Sequence, residues 1–333
     1  MEIQWGIIGC GAVTEMKSGP AFQKVPRSKL VAVMRRNAGK ARDYAQRHQV
    51  SKWYDDARHL INDPDVHAVY VATPPDTHAE YAIRVMESGK PVYVEKPMAR
   101  NYKECLDMIE ASRNTGMPLF VAYYRRSLPG FLKVRSMIEA GVIGAVRHVQ
   151  VRLYKSFMAG DLDPHNLQWR VIPEIAGAGH FFDLASHQMD YLDFLFGPVV
   201  DIQSMALNQG GAYPAEDIVL ANFRFENGIP GSGTWCFTVD PAAEEDALEF
   251  IGEKGRIEFS TFDPIPIKIV TSKGVEEVGY ENPEHIQYHL IDSIVKELNG
   301  EGHCPSTGIT ASRTSRVLDQ MVAAFYEPKK NLE

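Results

Sequence analysis

No apolar run in the 333 residues approaches the ~20 needed to cross a bilayer as a helix, so no membrane partner is expected. Cysteine is scarce. Cys10, Cys105, Cys236 and Cys304 are scattered, with no C-x-x-C and no zinc spacing, which excludes a disulfide scaffold and a zinc ribbon. They read as free thiols of a reducing, cytoplasmic compartment. No block of lysines and arginines occurs and the formal net charge is -8, which argues against a general nucleic-acid binder. Internal repeats and low-complexity tracts are missing too. The first strand pattern begins at Ile3, leaving no room ahead of it for a secretory leader; this again points to the cytoplasm.

What is present is a globular composition, 44% hydrophobic, on a chain longer than one core usually supports, so two domains are expected. Residues 3–9, I-Q-W-G-I-I-G, read as a buried strand running into G-C-G-A-V-T, with Thr14 where the dinucleotide fingerprint has its third glycine. Gly9 suits a tight turn and Gly11 a close pyrophosphate approach, with Ala12 and Val13 opening a helix; Thr14 would loosen only helix-to-strand packing. An ordinary glycine turn fits the same residues. Gly19-Pro20 is expected to interrupt that helix. A second strand, residues 30–34, ends on Arg35-Arg36. Two guanidiniums there suit a ribose 2'-phosphate and favour NADP(H), with NAD(H) possible, although solvated loop arginines would look the same.

Helices and strands then alternate. They include the turn Thr73-Pro74-Pro75-Asp76-Thr77-His78, with Asp76 or Thr77 as a helix cap, and P-V-Y-V-E-K-P, which ends on Glu95-Lys96-Pro97. In an open parallel sheet ligands sit outside the carboxyl ends of the strands, so Lys96 is aimed at a crevice, held extended by Pro97. The fold class expected is α/β: a Rossmann-type doubly wound parallel sheet over residues 1–122. An α+β domain with an open, largely antiparallel sheet follows over 123–333, closed by two helices. In that second part strands are expected over 147–157, 199–207, 218–225, 231–238, 247–251 and 256–260.

A glycine-rich start at 177–179 opens a helix to about Phe196, on which Asp183 and His187 stand four apart and share a face, with Asp190 following. A carboxylate one turn from an imidazole can set its tautomer for general-base work. A satisfied polar pair fits equally, and a metal pair lacks a third ligand cluster, so no metal is expected. Hydride transfer from an alcohol requires proton removal and a held oxygen. His187, with an unperturbed pKa of about 6.5, suits the first role and Lys96 the second, though a desolvated lysine could be the base. Arg152, Tyr154 and Ser156 alternate onto one sheet face, Asp163, His165 and Asn166 offer hydroxyl partners, and Tyr123 ends a strand beside Lys96.

The E-K-P strand end, the glycine-rich helix with D-x-x-x-H-x-x-D at residues 183–190, Trp169-Arg170 ahead of it, and A-Y-Y-R-R at 122–126 together resemble the Gfo/Idh/MocA oxidoreductases over essentially the whole chain. That resemblance implies NAD(P)-dependent oxidation or reduction of sugars and polyols by a homodimer or homotetramer. It further implies that Lys96 is the catalytic lysine and that Asp183 and His187 lie beside the substrate. Gly9, Gly11, Ala12, Val13, residues 73–78 (Thr73, Pro74, Pro75 and His78 among them), Glu95, Trp169 and Arg170 would then contact the cofactor. A glycosidase of the same superfamily that keeps NAD bound, or a nucleotide sensor without turnover, are the alternatives.

Overall fold

The computed structural model describes residues 1–327. The chain divides into two compact units, 1–128 with 282–312, and 129–281 with 313–327 of the described residues. The sequence reading placed everything after Ala122 in one domain; residues 282–312 instead return to the first unit.

The first unit holds six parallel strands, β1 (Ile3–Ile8), β2 (Ser28–Met34), β3 (Lys52–Tyr54), β4 (Ala68–Val71), β5 (Val92–Val94) and β6 (Leu119–Val121), in the order β3-β2-β1-β4-β5-β6. That is the doubly wound order, with its switch point between β1 and β4. The strands are buried apolar runs because helices cover both faces. Those helices are α1 (Ala12–Met16), α2 (Gly19–Lys24), α3 (Ala38–Arg47), α4 (Ala57–Ile61), α5 (His78–Glu87) and α6 (Tyr102–Thr115). Pro20 sits in the first turn of α2, where its missing N–H costs nothing, which explains the break after α1.

Thr14 corrects one expectation. Its side chain is fully buried, its hydroxyl donates to Gly11 O at 2.8 Å, and Tyr44 Oη donates to its carbonyl at 2.9 Å, so the packing there is tight rather than loosened. The demand for a missing side chain falls on Gly19, where an added Cβ would stand 2.2 Å from both Thr14 O and Tyr44 Oη. Gly19→Ala is therefore expected to cost about 1–3 kcal/mol through backbone displacement, read as a lower urea midpoint at unchanged slope.

The second unit opens with α7 (Pro129–Glu139) and contains an eight-stranded sheet. Its strands are β7 (Val146–Tyr154), β8 (Val199–Leu207), β9 (Ile218–Phe225), β10 (Pro230–Cys236), β11 (Glu245–Gly252), β12 (Gly255–Phe259), β13 (Ile267–Thr271) and β14 (Gly274–Val278). They run in the order β14-β13-β12-β11-β7-β10-β9-β8, and only β7 and β10 pair in parallel. The strands expected from sequence end at β12, so the hairpin of β13 and β14 is an addition. Pro264 and Pro266 precede the last hairpin, and β14, G-V-E-E-V, is an exposed edge with no apolar alternation; its two glutamates guard that edge.

Among the short helical turns missed by sequence are α8 (Pro173–Ala176) and a 3-10 turn at Trp169–Val171. The helix α9 (His180–Phe196) is buried almost all round, as expected of a helix lying across a sheet. Trp235 Nε1 on β10 donates to Gln188 Oε1 at 2.7 Å, pinning α9 to the sheet. The chain closes with α10 (Tyr288–Leu298) and α11 (Gly308–Tyr326); Arg313 on α11 grips Asp193 of α9 through two bonds of 2.8 and 2.7 Å, a charge-assisted fork.

Candidate active site

In the first unit the backbone ladder continues one residue beyond four strands. The amides of Gly9, Ala72, Glu95 and Ala122 donate to Met34 O, Ile8 O, Val71 O and Val94 O at 2.9, 2.8, 2.8 and 2.8 Å. These bonds fix where each loop leaves the sheet. Gly9 has φ +91, and an added Cβ would lie 2.9 Å from the backbone of Ala72 and Thr73, so the tight turn needs glycine. Gly11 differs, because a Cβ there meets nothing nearer than Gly9 O at 3.8 Å. Its glycine leaves a cradle beside the loop instead of relieving a clash, which is the space a pyrophosphate requires. Ala12 is exposed and Val13 half-buried at the start of α1. Burial pushes the Cys10 thiol up to about 11, so the cysteine inside the loop packs and is no nucleophile.

The two arginines part company. Arg35 Nη1 donates to Cys10 O at 3.3 Å, bracing the glycine loop, while Arg36 is exposed after β2. At the turn after β4, Thr73 and Pro74 are half-buried and Pro75 is buried. Thr77 takes the N-cap position of α5, but its hydroxyl turns into the loop, donating to Thr73 Oγ1 at 2.8 Å. His78, expected to touch cofactor, is fully buried, with Nδ1 3.0 Å from Pro97 O and Nε2 2.7 Å from Thr73 O. Its ring thereby ties this turn to the end of β5, and burial pushes its pKa down.

Lys96 follows β5 on the same edge and is half-buried. Glu95 stands directly before it. Its carboxylate is buried, with Oε2 accepting the Lys96 amide at 3.1 Å and Oε1 accepting Gln287 Nε2 at 2.7 Å and the Tyr70 hydroxyl. Tyr93 Oη in turn donates to Gln287 Oε1 at 2.8 Å. Glu95 thus fixes the backbone of the lysine. Gln287, fully buried on the returning segment, was invisible to sequence reading because it lies 192 residues beyond Glu95. Tyr123, expected at the substrate, is fully buried within the hydrophobic core of this unit.

In the second unit Asp183 is half-buried one turn into α9, and His187 is 4% exposed, its ring 6.0 Å from that of Phe262 at 74°. Arg170, expected at the cofactor, donates through Nε to Asp183 at 3.1 Å and lies 4.5 Å over the Trp169 ring. The Trp169-Arg170 pair therefore supports Asp183, with the cation held by carboxylate on one side and indole on the other. Asp190 is buried and accepts from Thr314 Oγ1 at 3.4 Å.

Tyr154 is half-buried at the end of β7, paired with Cys236 and Glu245. Arg152 pairs with Glu245 and Glu249 on the neighbouring strand at 2.8 and 3.0 Å, and the Ser156 hydroxyl donates to Glu244. Asp163, His165 and Asn166 are exposed. Among the described residues no cluster of three or more metal-ligating side chains occurs, and no helix is long and apolar enough to cross a membrane.

The family model of an oxidoreductase family with NAD-binding Rossmann fold matches residues 3–123, and the GFO/IDH/MocA C-terminal domain matches residues 131–258. An oxidoreductase of Formosa agariphila is 38% identical, covering 96% of this chain and 98% of its own. A 1,5-anhydro-D-fructose reductase of Ensifer adhaerens is 28% identical over 84% of this chain and 80% of its own. Among solved structures, a levoglucosan dehydrogenase in complex with NADH and levoglucosan superposes with a TM-score of 0.86 at 24% identity, covering 97% of this chain and 96% of that one, a likeness of fold. With both halves matched and the glycine cradle suited to a dinucleotide, the chain belongs to the Gfo/Idh/MocA family of NAD(P)-dependent oxidoreductases.

Proposed function

We propose that this enzyme moves hydride between a nicotinamide cofactor, NADP(H) in preference to NAD(H), and a sugar, polyol or related hydroxy or carbonyl compound, and that Lys96, Asp183 and His187 carry the reaction. The observation that carries this reading is Lys96 at the carboxyl end of β5, its backbone anchored by Glu95, on the sheet edge that bears the glycine cradle. A reductase and a dehydrogenase of anhydro-sugars among the relatives support a cyclic polyhydroxy substrate.

The bound nicotinamide would accept or give the hydride. In the oxidative direction His187 takes the hydroxyl proton while Lys96 Nζ hydrogen-bonds the same oxygen as charge develops on it. In the reductive direction Lys96 polarises the carbonyl and His187 returns the proton. Asp183, held by Arg170, which itself lies over the Trp169 ring, would help to set the imidazole one turn along α9. Gly9, Gly11, Ala12, Val13, Thr73 and Pro74 would cradle the cofactor, and Tyr154 would meet substrate. The exposed Val200, Met205, Leu207 and Leu220 on β8 and β9 suit assembly into a homodimer or homotetramer, and four buried free thiols suit the cytoplasm.

The test is a fluorescence titration with NADPH and NADH followed by an activity screen over sugars, inositols, keto-sugars and aromatic diols. Consumption of reduced cofactor is expected; a cofactor retained through purification with no net redox turnover would favour the glycosidase alternative, and binding with no turnover of any kind would favour the sensor. Arg36→Asp should lower the NADPH preference about tenfold or more, since it removes one charge-assisted contact to the 2'-phosphate. An unchanged NADPH:NADH ratio would remove the arginine from the reading.

A further inference from the structure

One buried acid in the second unit takes no part in the chemistry above. Glu216 lies in the loop between β8 and β9 with no exposed surface. Its two oxygens accept the Gly179 amide at 3.0 and 3.1 Å, and Oε2 also accepts the Tyr326 hydroxyl at 2.5 Å. Gly179 is the N-cap of α9, and Tyr326 ends α11. The approach is close: a Cβ on Gly179 would stand 2.6 Å from Glu216 O and 3.0 Å from Ala215 Cβ. The loop itself is stiff. Asp217 collects the amides of Gln209 and Gly210 at 2.8 and 2.6 Å, and Asn208 Nδ2 bonds Tyr213 O and Ala215 O at 2.6 and 2.8 Å.

We infer that Glu216, clamped between the Gly179 amide and the Tyr326 hydroxyl, is a positioning residue that sets the start of the helix bearing Asp183 and His187. This rests on the proposal that those two residues do the chemistry. A carboxylate at a helix N-terminus is favoured by the helix dipole and makes a charge-assisted bond to the amide; protonation weakens that bond. Burial pushes the Glu216 carboxyl up to about 7, against which the Tyr326 and Gly179 donors pull down, while Asp217 beside it pushes further up. Tyr213 and, through Tyr326, Glu174 complete the ionisable surroundings, and His180 at the first position of α9 is paired with Asp161 at 2.9 Å. The clamp therefore changes charge in the neutral range, tight above it and loosened below.

Burying the charge costs more than the tighter bonds contribute, which is why the folded protein raises this carboxyl above its ordinary 4.5; the stability it confers is full below that value and is lost as pH rises through about 7. In E216Q that loss should disappear.

The experiment follows the Gly179 amide resonance of the full-length protein against pH, together with kcat and cofactor Kd, in wild type, E216Q, E216A and Y326F. Expected are a Gly179 titration near neutrality in wild type, none in E216Q, and a higher midpoint in Y326F, which loses a donor to the charged form. E216A should lose kcat about tenfold at unchanged cofactor Kd, with E216Q between it and wild type. Y326F, altered at a half-exposed helix end, supplies the test should E216A not fold. A Gly179 amide that does not titrate, or an E216Q enzyme with the wild-type pH profile and kcat, would overturn the inference. If H187N keeps the wild-type rate while Gly179 still titrates, the catalytic reading of α9 has failed and takes the positioning role with it; the clamp alone would survive as a structural feature.

Discussion

Lys96→Met is expected to lower the rate of hydride transfer by about 10²–10³-fold while leaving cofactor affinity little changed. Methionine keeps the length of the side chain but removes its only donor, so the oxygen on which charge develops loses its partner at the moment the partner matters. The glycine cradle at Gly9 and Gly11 is built from backbone after β1, four strands earlier in sequence than β5, and does not depend on the ammonium stem. Glu95 should keep the backbone in place, since its carboxylate bonds the Lys96 amide and is itself held by Tyr70 and Gln287. Stopped-flow transfer and a fluorescence titration on the same preparation separate the two quantities. A variant with normal transfer and weakened cofactor binding would make Lys96 a binding residue instead.

His187→Asn should have an effect of about 10²–10⁴-fold on the same step, the range of a positioned acid–base group. Asparagine retains polarity but cannot exchange a proton near neutrality, so the acid limb of the oxidative pH profile should vanish along with the rate. Its effect should not add to that of Lys96→Met. Both residues are proposed to act on one oxygen, and groups that act as a unit give a double variant little slower than the worse single one. Fully multiplicative losses would mean that the two residues act on the step independently of each other. Asp183→Asn is a milder companion, since Arg170, braced on the Trp169 ring, would still donate to that side chain.

The parallel sheet could be read from sequence because each of its strands is a short buried run closed by turn residues and followed by a helix. Strand and helix periods stay distinct when both faces of a sheet are covered. That Lys96 follows a strand end and that Asp183 and His187 stand four apart on one helix could be read for a related reason: a proline after the lysine and a four-residue spacing are local backbone signals. What lay out of reach were partnerships made across the chain. The family resemblance alone put Glu95 and His78 at the cofactor; that Glu95 accepts from Gln287 and that His78 bonds the Thr73 and Pro97 carbonyls no local pattern could announce. Arg170 stands 13 residues ahead of Asp183, and no periodicity relates them. Tyr123 ends a strand in sequence but is turned into the core. The hairpin of β13 and β14 escaped because an exposed edge strand needs no apolar alternation.

The most direct measurement is single-turnover oxidation of NADPH by wild type and Lys96→Met, with and without deuterium at the transferred position, using the best carbonyl substrate from the activity screen. The expected result is rapid cofactor oxidation with a primary isotope effect in wild type, and tight cofactor binding with transfer slowed at least a hundredfold, by about 2.7 kcal/mol or more, in the variant. Transfer at the wild-type rate by Lys96→Met, with the same isotope effect, would contradict the assignment of the lysine to the reacting oxygen.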